Sequence, residues 1–351
     1  MEGQSVRRAG WRLWPLAVAV NAAAVVAGVL AFLLWQHFKP VPATTRLEGT
    51  IIDGGIDRPT DDVGYISDAN MRVTARRMVG NRALYDVIYT IGPDQLRVVP
   101  PAVNGSGAAP TSCLLLFGDS FTFGEGVNDD ETYAAQVVSQ SGGRVAAHAF
   151  GLSGWGPHQM LAGLQSGRFP RAITCRPTDA VYLFIPDHIR RVAGRAPWDV
   201  HGPRFRLGPD GRPVRDGNFD SGGAPLPVPD LDEGLLGWRR LVGIRALGSP
   251  EEVQLTAALI IESARELKRL YPGIVFHVFD WDADDTVRSA DVMHRLAAAG
   301  LVLHPLEAII PDYVEHLDRY LIDPVLDGHP NPAAHKLIAA YILHEIVGKR
   351  P

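Results

Sequence analysis

Short apolar runs alternate with segments of helical periodicity through most of the chain after residue 110. The runs predict buried strands, and the apolar positions spaced three and four residues apart predict amphipathic helices. The strands are expected at 114–117, 144–150, 180–185, 274–279 and 301–303, and the helices at 132–140, around 159–163, and at 251–270, 287–299 and 332–347. This alternation predicts an α/β domain in which helices cover both faces of a parallel sheet.

Two segments interrupt this rhythm. Residues 83–100 alternate apolar and polar side chains around Gly92, Pro93 and Asp94, which predicts a hairpin before the main domain. Residues 191–250 are rich in Gly and Pro and contain a second hairpin pattern that turns at residues 209–211. A long irregular insertion of this kind is often functional, so we expect it to form a lid or a wall that shapes the substrate site.

The apolar run at residues 15–35 has Asn21 as its only strongly polar member and is long enough to cross a bilayer as a helix. A long cleaved signal peptide is the alternative. Arg7, Arg8 and Arg12 precede the run, which predicts a cytoplasmic N-terminus and a remainder outside the inner membrane, in the periplasm. We therefore expect a cytoplasmic segment (1–14), an anchor (15–35), a linker with a small β-rich segment (36–110), and the main α/β domain (111–351) with its insertion at 191–250.

Composition narrows the class of function. The 351 residues are 46% hydrophobic and carry a net charge of -5, without a basic stripe, so nucleic acid is not an expected partner. The two cysteines, Cys113 and Cys175, form no zinc motif, and phosphate-binding and dinucleotide glycine patterns are missing from the sequence. We predict no metal and no cofactor, and we interpret the acidic run at 280–285 as a solvated loop. The sequence does not indicate an oligomeric state.

Ser120 stands out because it directly follows a predicted buried strand, in LLLFGDSFTFGEG. Ligands of open α/β sheets gather beyond the carboxyl ends of the strands. A serine needs a neighbouring base to become a nucleophile. In DGHPN, Asp327 precedes His329 by two residues and could orient its imidazole. Taken alone, this second motif also fits a turn with a solvated histidine before a helix capped by Asn331.

Together, GDSFTFGEG and DGHPN resemble the two terminal motifs of the SGNH (GDSL-type) hydrolase family, over residues 111 to 351. The resemblance implies a flavodoxin-like three-layer α/β/α sandwich that hydrolyses or transfers ester-linked acyl groups, often on carbohydrates. It makes Ser120 the nucleophile and Asp327 and His329 the other members of the triad. The Asp-x-His spacing is similar to that of a membrane-associated O-acetyltransferase-like branch, and Asp323 is a second candidate for the acid.

The resemblance also implies an oxyanion hole built from the backbone N–H groups of Ser120 and Gly151 and from an Asn side chain after the third strand. This chain reads YLFIPDHIRR there and has no Asn. We expect His188 to replace it, because the charge of Asp187 would repel an oxyanion. Arg190 and Arg191 are interpreted as a solvated charge run, with pairing to Asp187 or binding of an anionic substrate as alternatives.

In the sheet order that the resemblance implies, Cys113 and Cys175 lie on neighbouring strands, so either a disulfide or two separate buried thiols is expected. The sequence thus predicts a membrane-anchored serine esterase that acts on an acylated small molecule or carbohydrate, with acyl transfer as a variant of the same chemistry. The alternative is a catalytically inactive carbohydrate-binding or envelope-assembly protein on the same fold, which the missing Asn would explain.

Overall fold

The computed structural model describes residues 14–38, 44–50, 58–103, 109–221, 248–283 and 287–349. The chain divides into two compact units, residues 1–44 with 79–81, and residues 45–78 with 82–351. In the first unit, helix α1 spans Trp14–Phe38. Among the described residues, no helix combines the length and the apolar character that a membrane crossing requires.

A five-stranded sheet forms the centre of the second unit, as far as the chain is described. Its strands are β6 (Ser112–Gly118), β7 (Val145–Gly151), β8 (Asp179–Phe184), β11 (Val275–Asp280) and β12 (Val302–Pro305). They are all parallel and lie in the order β12-β11-β8-β6-β7. Read along the chain this is the order 2-1-3-4-5, which doubly wound flavodoxin-type sheets share.

Helices surround this sheet. They are α2 (Ser120–Phe123), α3 (Tyr133–Gln140), α4 (Pro157–Gln165), α5 (Arg168–Ala172), α6 (His188–Arg191), α7 (Pro250–Leu270), α8 (Val287–Ala298), α9 (Leu306–Ile309), α10 (Leu317–Tyr320) and α11 (Pro332–Tyr341). Leu115 and Phe117 of β6 belong to one core cluster with α4, α7 and α8. Leu114 and Leu116 belong to another with α3 and α11. Because successive side chains of a strand point to opposite faces, both faces are buried, and the predicted three layers are present.

A β-rich segment precedes the main sheet in the chain and belongs to the same compact unit from residue 45 onwards, apart from residues 79–81. Its strands are β1 (Thr44–Thr50), β2 (Arg58–Thr60), β3 (Gly64–Ile66), β4 (Arg72–Val79) and β5 (Arg82–Thr90), in two sheets of order β1-β4-β5 and β2-β3. The hairpin predicted at 83–100 is present only in part. Strand β5 forms its first arm, and Ile91 and Arg97 form an antiparallel bridge across the turn, where the backbone N–H of Val98 donates to the Thr90 carbonyl at 2.9 Å. The second arm does not continue as a strand, because the prolines at 100 and 101 cannot donate ladder hydrogen bonds.

The insertion does contain the predicted hairpin, with β9 (Pro203–Leu207) antiparallel to β10 (Pro213–Asn218). The rest of the insertion, residues 222–247, lies outside the described residues, so its role as a lid stays a prediction. Near the C-terminus, β13 (Leu321–Asp323) pairs antiparallel with β14 (Asp327–Pro330), immediately before α11. Asn331 caps α11 as expected, because its side chain accepts hydrogen bonds from the backbone N–H groups of Ala333 and Ala334.

Cys113 and Cys175 form a disulfide with a Cα–Cα distance of 6.0 Å. Cys113 lies near the start of β6, and Cys175 precedes β8, which is the neighbour of β6 in the sheet. The disulfide is therefore at the amino-terminal edge, and the alternative of two free thiols is wrong. Closing a 62-residue separation contributes about 4 kcal/mol to stability in the chain-entropy model.

Candidate active site

Ser120 is the first residue of α2 and is separated from β6 by Asp119 alone, so it lies at the carboxyl edge of the sheet. The turn that exposes it is tight. A Cβ on Gly118 would lie 2.2 Å from Thr122 Oγ1, and a Cβ on Gly151 would lie 2.7 Å from the carbonyl oxygen of Asp119. Gly151 is therefore needed for the backbone of β7 to approach the serine turn, and Gly118 leaves room for the side chain of Thr122.

The three residues predicted as a triad meet at this edge. Nε2 of His329 is 2.9 Å from Ser120 Oγ, and Nδ1 is 2.6 Å from Asp327 Oδ1. Asp327 and His329 both belong to strand β14, where residues two apart face the same side, which explains how one intervening residue suffices. The chain of hydrogen bonds fixes Nδ1–H as the donor to Asp327 and leaves Nε2 to accept from the Ser120 hydroxyl.

Asp327 is 4% exposed, and its second carboxylate oxygen forms an ion pair with Arg77 Nε at 3.0 Å. Arg77 belongs to β4 of the β-rich segment. Burial alone would raise the pKa of Asp327, but its hydrogen bond to His329 and the charges of His329 and Arg77 keep that pKa below its ordinary value. Asp327 therefore remains a carboxylate that can stabilise an imidazolium. Asp323, the second candidate, instead pairs with Arg82 on the surface.

A second carboxylate faces the same imidazole. Glu125 Oε2 is 3.7 Å from His329 Nε2 and accepts a hydrogen bond of 2.6 Å from Ser153 Oγ. Burial lowers the pKa of His329, but the carboxylates of Glu125, Asp327 and Asp119 outweigh it and raise that pKa above its ordinary value. The imidazolium form is thus stabilised, as a general base requires when it takes a proton.

These groups open into one cavity of about 550 Å³. The cavity is lined by Pro59, Gly64, Tyr65, Arg77, Ser120, Glu125, Ser153, Gly154, Arg191, Trp198, His201 and His329. The β-rich segment supplies the first four of these residues, and Trp198 and His201 come from the described start of the insertion. The insertion therefore does form part of a wall of the site, as the sequence predicted.

The predicted role of His188 as an oxyanion donor does not fit this geometry. Its side chain is fully buried, with Nε2 3.3 Å from Asp119 Oδ2 and Nδ1 2.9 Å from the Tyr182 hydroxyl. The backbone N–H of Ile185 also donates to Nδ1, at 3.4 Å, so the ring proton belongs on Nε2, which donates to Asp119. Burial lowers the pKa of His188 despite the nearby Asp119 carboxylate, so the ring is neutral.

Arg191, rather than His188, is the cavity-lining side chain at the end of β8. It is 6% exposed and is not the solvated charge that the sequence suggested. Its NH1 atom donates to Asp119 Oδ2 at 2.9 Å and to the Trp155 carbonyl at 2.6 Å, and its Nε atom donates to Asp187 at 2.7 Å. Burial would raise the pKa of Asp119, but His188 and Arg191 hold it well below its ordinary value.

Sequence reasoning missed three charged residues of the site, namely Arg77, Asp119 and Glu125, and interpreted a fourth, Arg191, as a solvated charge. Asp119 and Glu125 flank the serine in the motif itself, so they carried a signal. The spacing of Asp187 and Arg191, four residues apart, was a signal for pairing on a helical turn. Arg77 had no signal, because its contact with Asp327 joins residues 250 positions apart in the chain.

One group of potential metal ligands occurs in the ranges that the structure describes. The ligand atoms of Cys113, His148 and Cys175 lie within 4.8 Å of one another. The two sulfur atoms are joined in the disulfide, so they do not offer the thiolates that bind metals. The acidic run at 280–285 is described only up to residue 283, and its interpretation as a solvated loop stays a prediction.

No family model matches this chain, and a comparison with curated proteins finds no match. Among solved structures, the chain is similar to an α/β hydrolase enzyme from the metagenome of Lake Arreo, Spain, at 17% identity and a TM-score of 0.38, covering 68% of this chain and 95% of that chain. The chain is also similar to an acetylxylan esterase from Geobacillus stearothermophilus, at 15% identity and a TM-score of 0.38, covering 68% of this chain and 95% of that chain. A third similar structure is the acetyl xylan esterase Est2A from Butyrivibrio proteoclasticus, at 11% identity and a TM-score of 0.40, covering 82% of this chain and 74% of that chain. In each case the identity and the TM-score are too low for the likeness to carry an argument about this chain.

Proposed function

We propose that this protein is a serine esterase of the SGNH type that forms an acyl-enzyme on Ser120. The observation that carries the proposal is the continuous chain from Ser120 Oγ to His329 Nε2 at 2.9 Å and from His329 Nδ1 to Asp327 Oδ1 at 2.6 Å. The lowered pKa of Asp327 and the raised pKa of His329 support the roles of orienting carboxylate and base. The chain opens into a cavity that a substrate can enter.

Acylation proceeds by attack of Ser120 Oγ on the ester carbonyl while His329 Nε2 accepts the hydroxyl proton. The imidazolium then donates this proton to the leaving alkoxide, and the acyl group stays on Ser120. In the second half, a hydroxyl group of water or of an alcohol attacks the acyl carbonyl and gives its proton to His329. Water yields a carboxylic acid, whereas a sugar hydroxyl yields a transferred ester.

The oxyanion is proposed to bind the backbone N–H groups of Ser120 and Gly151, with the guanidinium of Arg191 in place of the Asn of the family. Gly151 pairs with Gly118 at the end of the parallel ladder, beside the serine turn. Arg191 supports the proposal because it lines the cavity and is fixed through Asp119, the neighbour of the serine. A preorganised cation gains strength where water is excluded.

The cavity favours a polar acyl ester such as an O-acylated carbohydrate. Trp198 is 44% exposed on the cavity wall and donates a hydrogen bond of 3.3 Å to the Gly154 carbonyl, so its ring is held in place. Gly154 lies beneath it, because a Cβ there would be 2.2 Å from Trp198 Nε1. An aromatic face among charged and hydroxyl side chains can stack on the apolar face of a sugar while hydrogen bonds bind its hydroxyl groups.

We also propose that the apolar run at 15–35 anchors the protein in the inner membrane and that the catalytic domain is periplasmic. The uncharged sequence of this run and the arginines before it support the proposal. The disulfide is consistent with an oxidising compartment. Retention of the full chain in membranes after carbonate extraction, and release of a variant that lacks residues 1–38, would support the anchor. Extraction of both proteins alike would contradict it.

A fluorophosphonate probe tests the catalytic proposal directly. We expect the wild-type protein to be labelled and Ser120→Ala to lose labelling completely, because the probe needs an activated serine. Ser139→Ala is the control, because Ser139 is an exposed serine of α3 that does not line the cavity, and it should remain labelled. Hydrolysis of p-nitrophenyl acetate should follow the same pattern. Folded wild-type protein that takes up no probe would instead favour the non-catalytic carbohydrate-binding alternative.

A further inference from the structure

Glu125 is placed where the second reactant of an esterase must enter. It lies on the loop that follows α2, lines the cavity, and has its Oε2 atom 3.7 Å from His329 Nε2, the nitrogen that faces Ser120. The backbone N–H of Glu125 donates to the Ser120 carbonyl at 2.9 Å, so the loop folds back on the nucleophile. The triad mechanism itself gives this carboxylate no task.

The β-rich segment fixes the position of this loop. Arg97 is fully enclosed, and its guanidinium donates to the carbonyl oxygens of Phe123 at 2.8 Å, Gly124 at 2.6 Å and Val127 at 2.7 Å. The hydroxyl of Tyr89 accepts from the backbone N–H of Gly126 at 2.8 Å. Glu125 is therefore held between two anchored glycines rather than being a mobile surface side chain.

The carboxylate of Glu125 can accept further hydrogen bonds. A carboxylate has about four lone-pair positions. Ser153 Oγ occupies one of them on Oε2 at 2.6 Å, and Arg77 NH1 approaches Oε1 at 4.0 Å. A small molecule seated against His329 Nε2 can therefore also donate a hydrogen bond to Glu125.

We propose that Glu125 orients the water that hydrolyses the acyl-enzyme, and thereby directs this site to hydrolysis rather than to transfer onto simple alcohols. The proposal rests on the acyl-enzyme of the proposed function. A water molecule has two O–H bonds, so it can donate one hydrogen to His329 Nε2 and the other to Glu125. A monohydric alcohol has a single O–H bond, and once it faces His329 it presents only carbon and lone pairs to the carboxylate.

The step balances without a further reactant. The water oxygen bonds to the acyl carbon, and the proton that this water shares with His329 Nε2 moves to the imidazole. The tetrahedral intermediate then collapses, the bond from the acyl carbon to Ser120 Oγ breaks, and the imidazolium returns the proton to Oγ. The hydrogen bonded to Glu125 stays on the product carboxylic acid, so Glu125 gains and loses no proton.

Product partitioning tests the proposal. Wild-type protein turning over p-nitrophenyl acetate in dilute methanol should yield acetic acid in preference to methyl acetate. In Glu125→Leu the ratio of methyl acetate to acetic acid should rise roughly tenfold or more, which is the size expected for losing one hydrogen bond to a charged group. Glu125→Gln keeps one acceptor oxygen and should lie between the two. Glu307→Gln, on the exposed face of α9, is the matched control and should keep the wild-type ratio.

The outcomes separate this proposal from the proposed function. Fluorophosphonate labelling of the Glu125 variants with an unchanged product ratio would overturn the role of Glu125 and leave the esterase intact. If Glu125→Leu does not fold, Ser153→Ala serves as a second variant, because it removes the hydroxyl that holds Glu125. Its product ratio should move in the same direction by a smaller factor, and an unchanged ratio again counts against the proposal. Wild-type protein that forms no acyl-enzyme would overturn both.

Discussion

Two aspartate–histidine pairs adjoin Ser120, and they differ in the exposure of the imidazole and in the partner of its second nitrogen. In the pair of Asp327 and His329, the imidazole side chain is 21% exposed and its second nitrogen faces the serine. In the pair of Asp119 and His188, the imidazole is fully buried and its second nitrogen faces Tyr182. The exposure of the imidazole and the partner of its second nitrogen decide which histidine can transfer a proton.

The two pairs also differ in the charges around them. Three carboxylates raise the pKa of His329 against the effect of its burial. At His188 burial dominates and lowers the pKa, since Arg191 offsets part of the influence of Asp119. A histidine that must accept a proton during turnover needs nearby carboxylates that stabilise its imidazolium form. A histidine that only holds an aspartate in place can be fully buried, because burial keeps its ring neutral.

Breaking the pair of Asp327 and His329 should have the largest effect. In His329→Gln the serine loses its base, so kcat for p-nitrophenyl acetate should fall by roughly a millionfold, as when the base of a serine triad is removed. The partly exposed side chain contributes little to folding, so the melting temperature should stay close to that of the wild type. A variant that retains more than a few per cent of kcat would show that another group accepts the proton.

Breaking the second pair should act on stability. In His188→Gln the buried partners Asp119 and Tyr182 lose an optimal hydrogen-bond geometry, so the free energy of unfolding should fall by about 1–3 kcal/mol. Urea titration measures this loss. Because the pKa of His188 is lowered in the folded state, the unfolded chain binds more protons as the pH falls below 6.5, and the wild type loses stability there. The difference in stability between the wild type and His188→Gln should therefore shrink at acidic pH, and a constant difference would argue against a neutral His188.

The smallest effect is a shift of the pH profile. Activity needs neutral His329, so the acid limb of kcat/KM should lie above pH 6.5, the ordinary pKa of the group. The charged groups that act on this imidazole are Glu125, Asp327 and Asp119, while Arg77 pairs with Asp327 and His335 of α11 interacts with His329 electrostatically. Removing one negative charge in Glu125→Gln lowers the pKa of His329, so the limb should move to lower pH.

Glu307→Gln is again the control for this profile, because its exposed side chain lies on α9, away from the cavity-lining residues. It should leave the limb in place. A limb that does not move in Glu125→Gln would mean that Glu125 exerts no electrostatic influence on the base. The raised pKa of His329 would then be due to Asp327 and Asp119 alone.

The α/β pattern was predictable because both faces of β6 are buried, so that Leu114 to Phe117 form a continuous apolar run. The proposed triad could be named from the sequence because Ser120 and the pair of Asp327 and His329 lie in short motifs at chain positions where strands end. The hairpin predicted at 83–100 formed only in part, because its second arm runs into Pro100 and Pro101, which cannot donate ladder hydrogen bonds. His188 was assigned wrongly because its position after β8 did not reveal that its ring turns inward.

The sequence by itself determined most of the strands and helices of the main sheet and its layers, and it singled out the residues proposed as nucleophile, base and acid, since each signal is a pattern of near neighbours in the chain. Only the tertiary structure decided that Arg77 and Arg97 of the β-rich segment hold the acid and the nucleophile loop. It alone placed Glu125 and Arg191 in the cavity and His188 in the core. The physical reason is that burial, and the charge partners that burial brings together, depend on contacts between residues far apart in sequence, such as the 3.0 Å ion pair of Arg77 and Asp327.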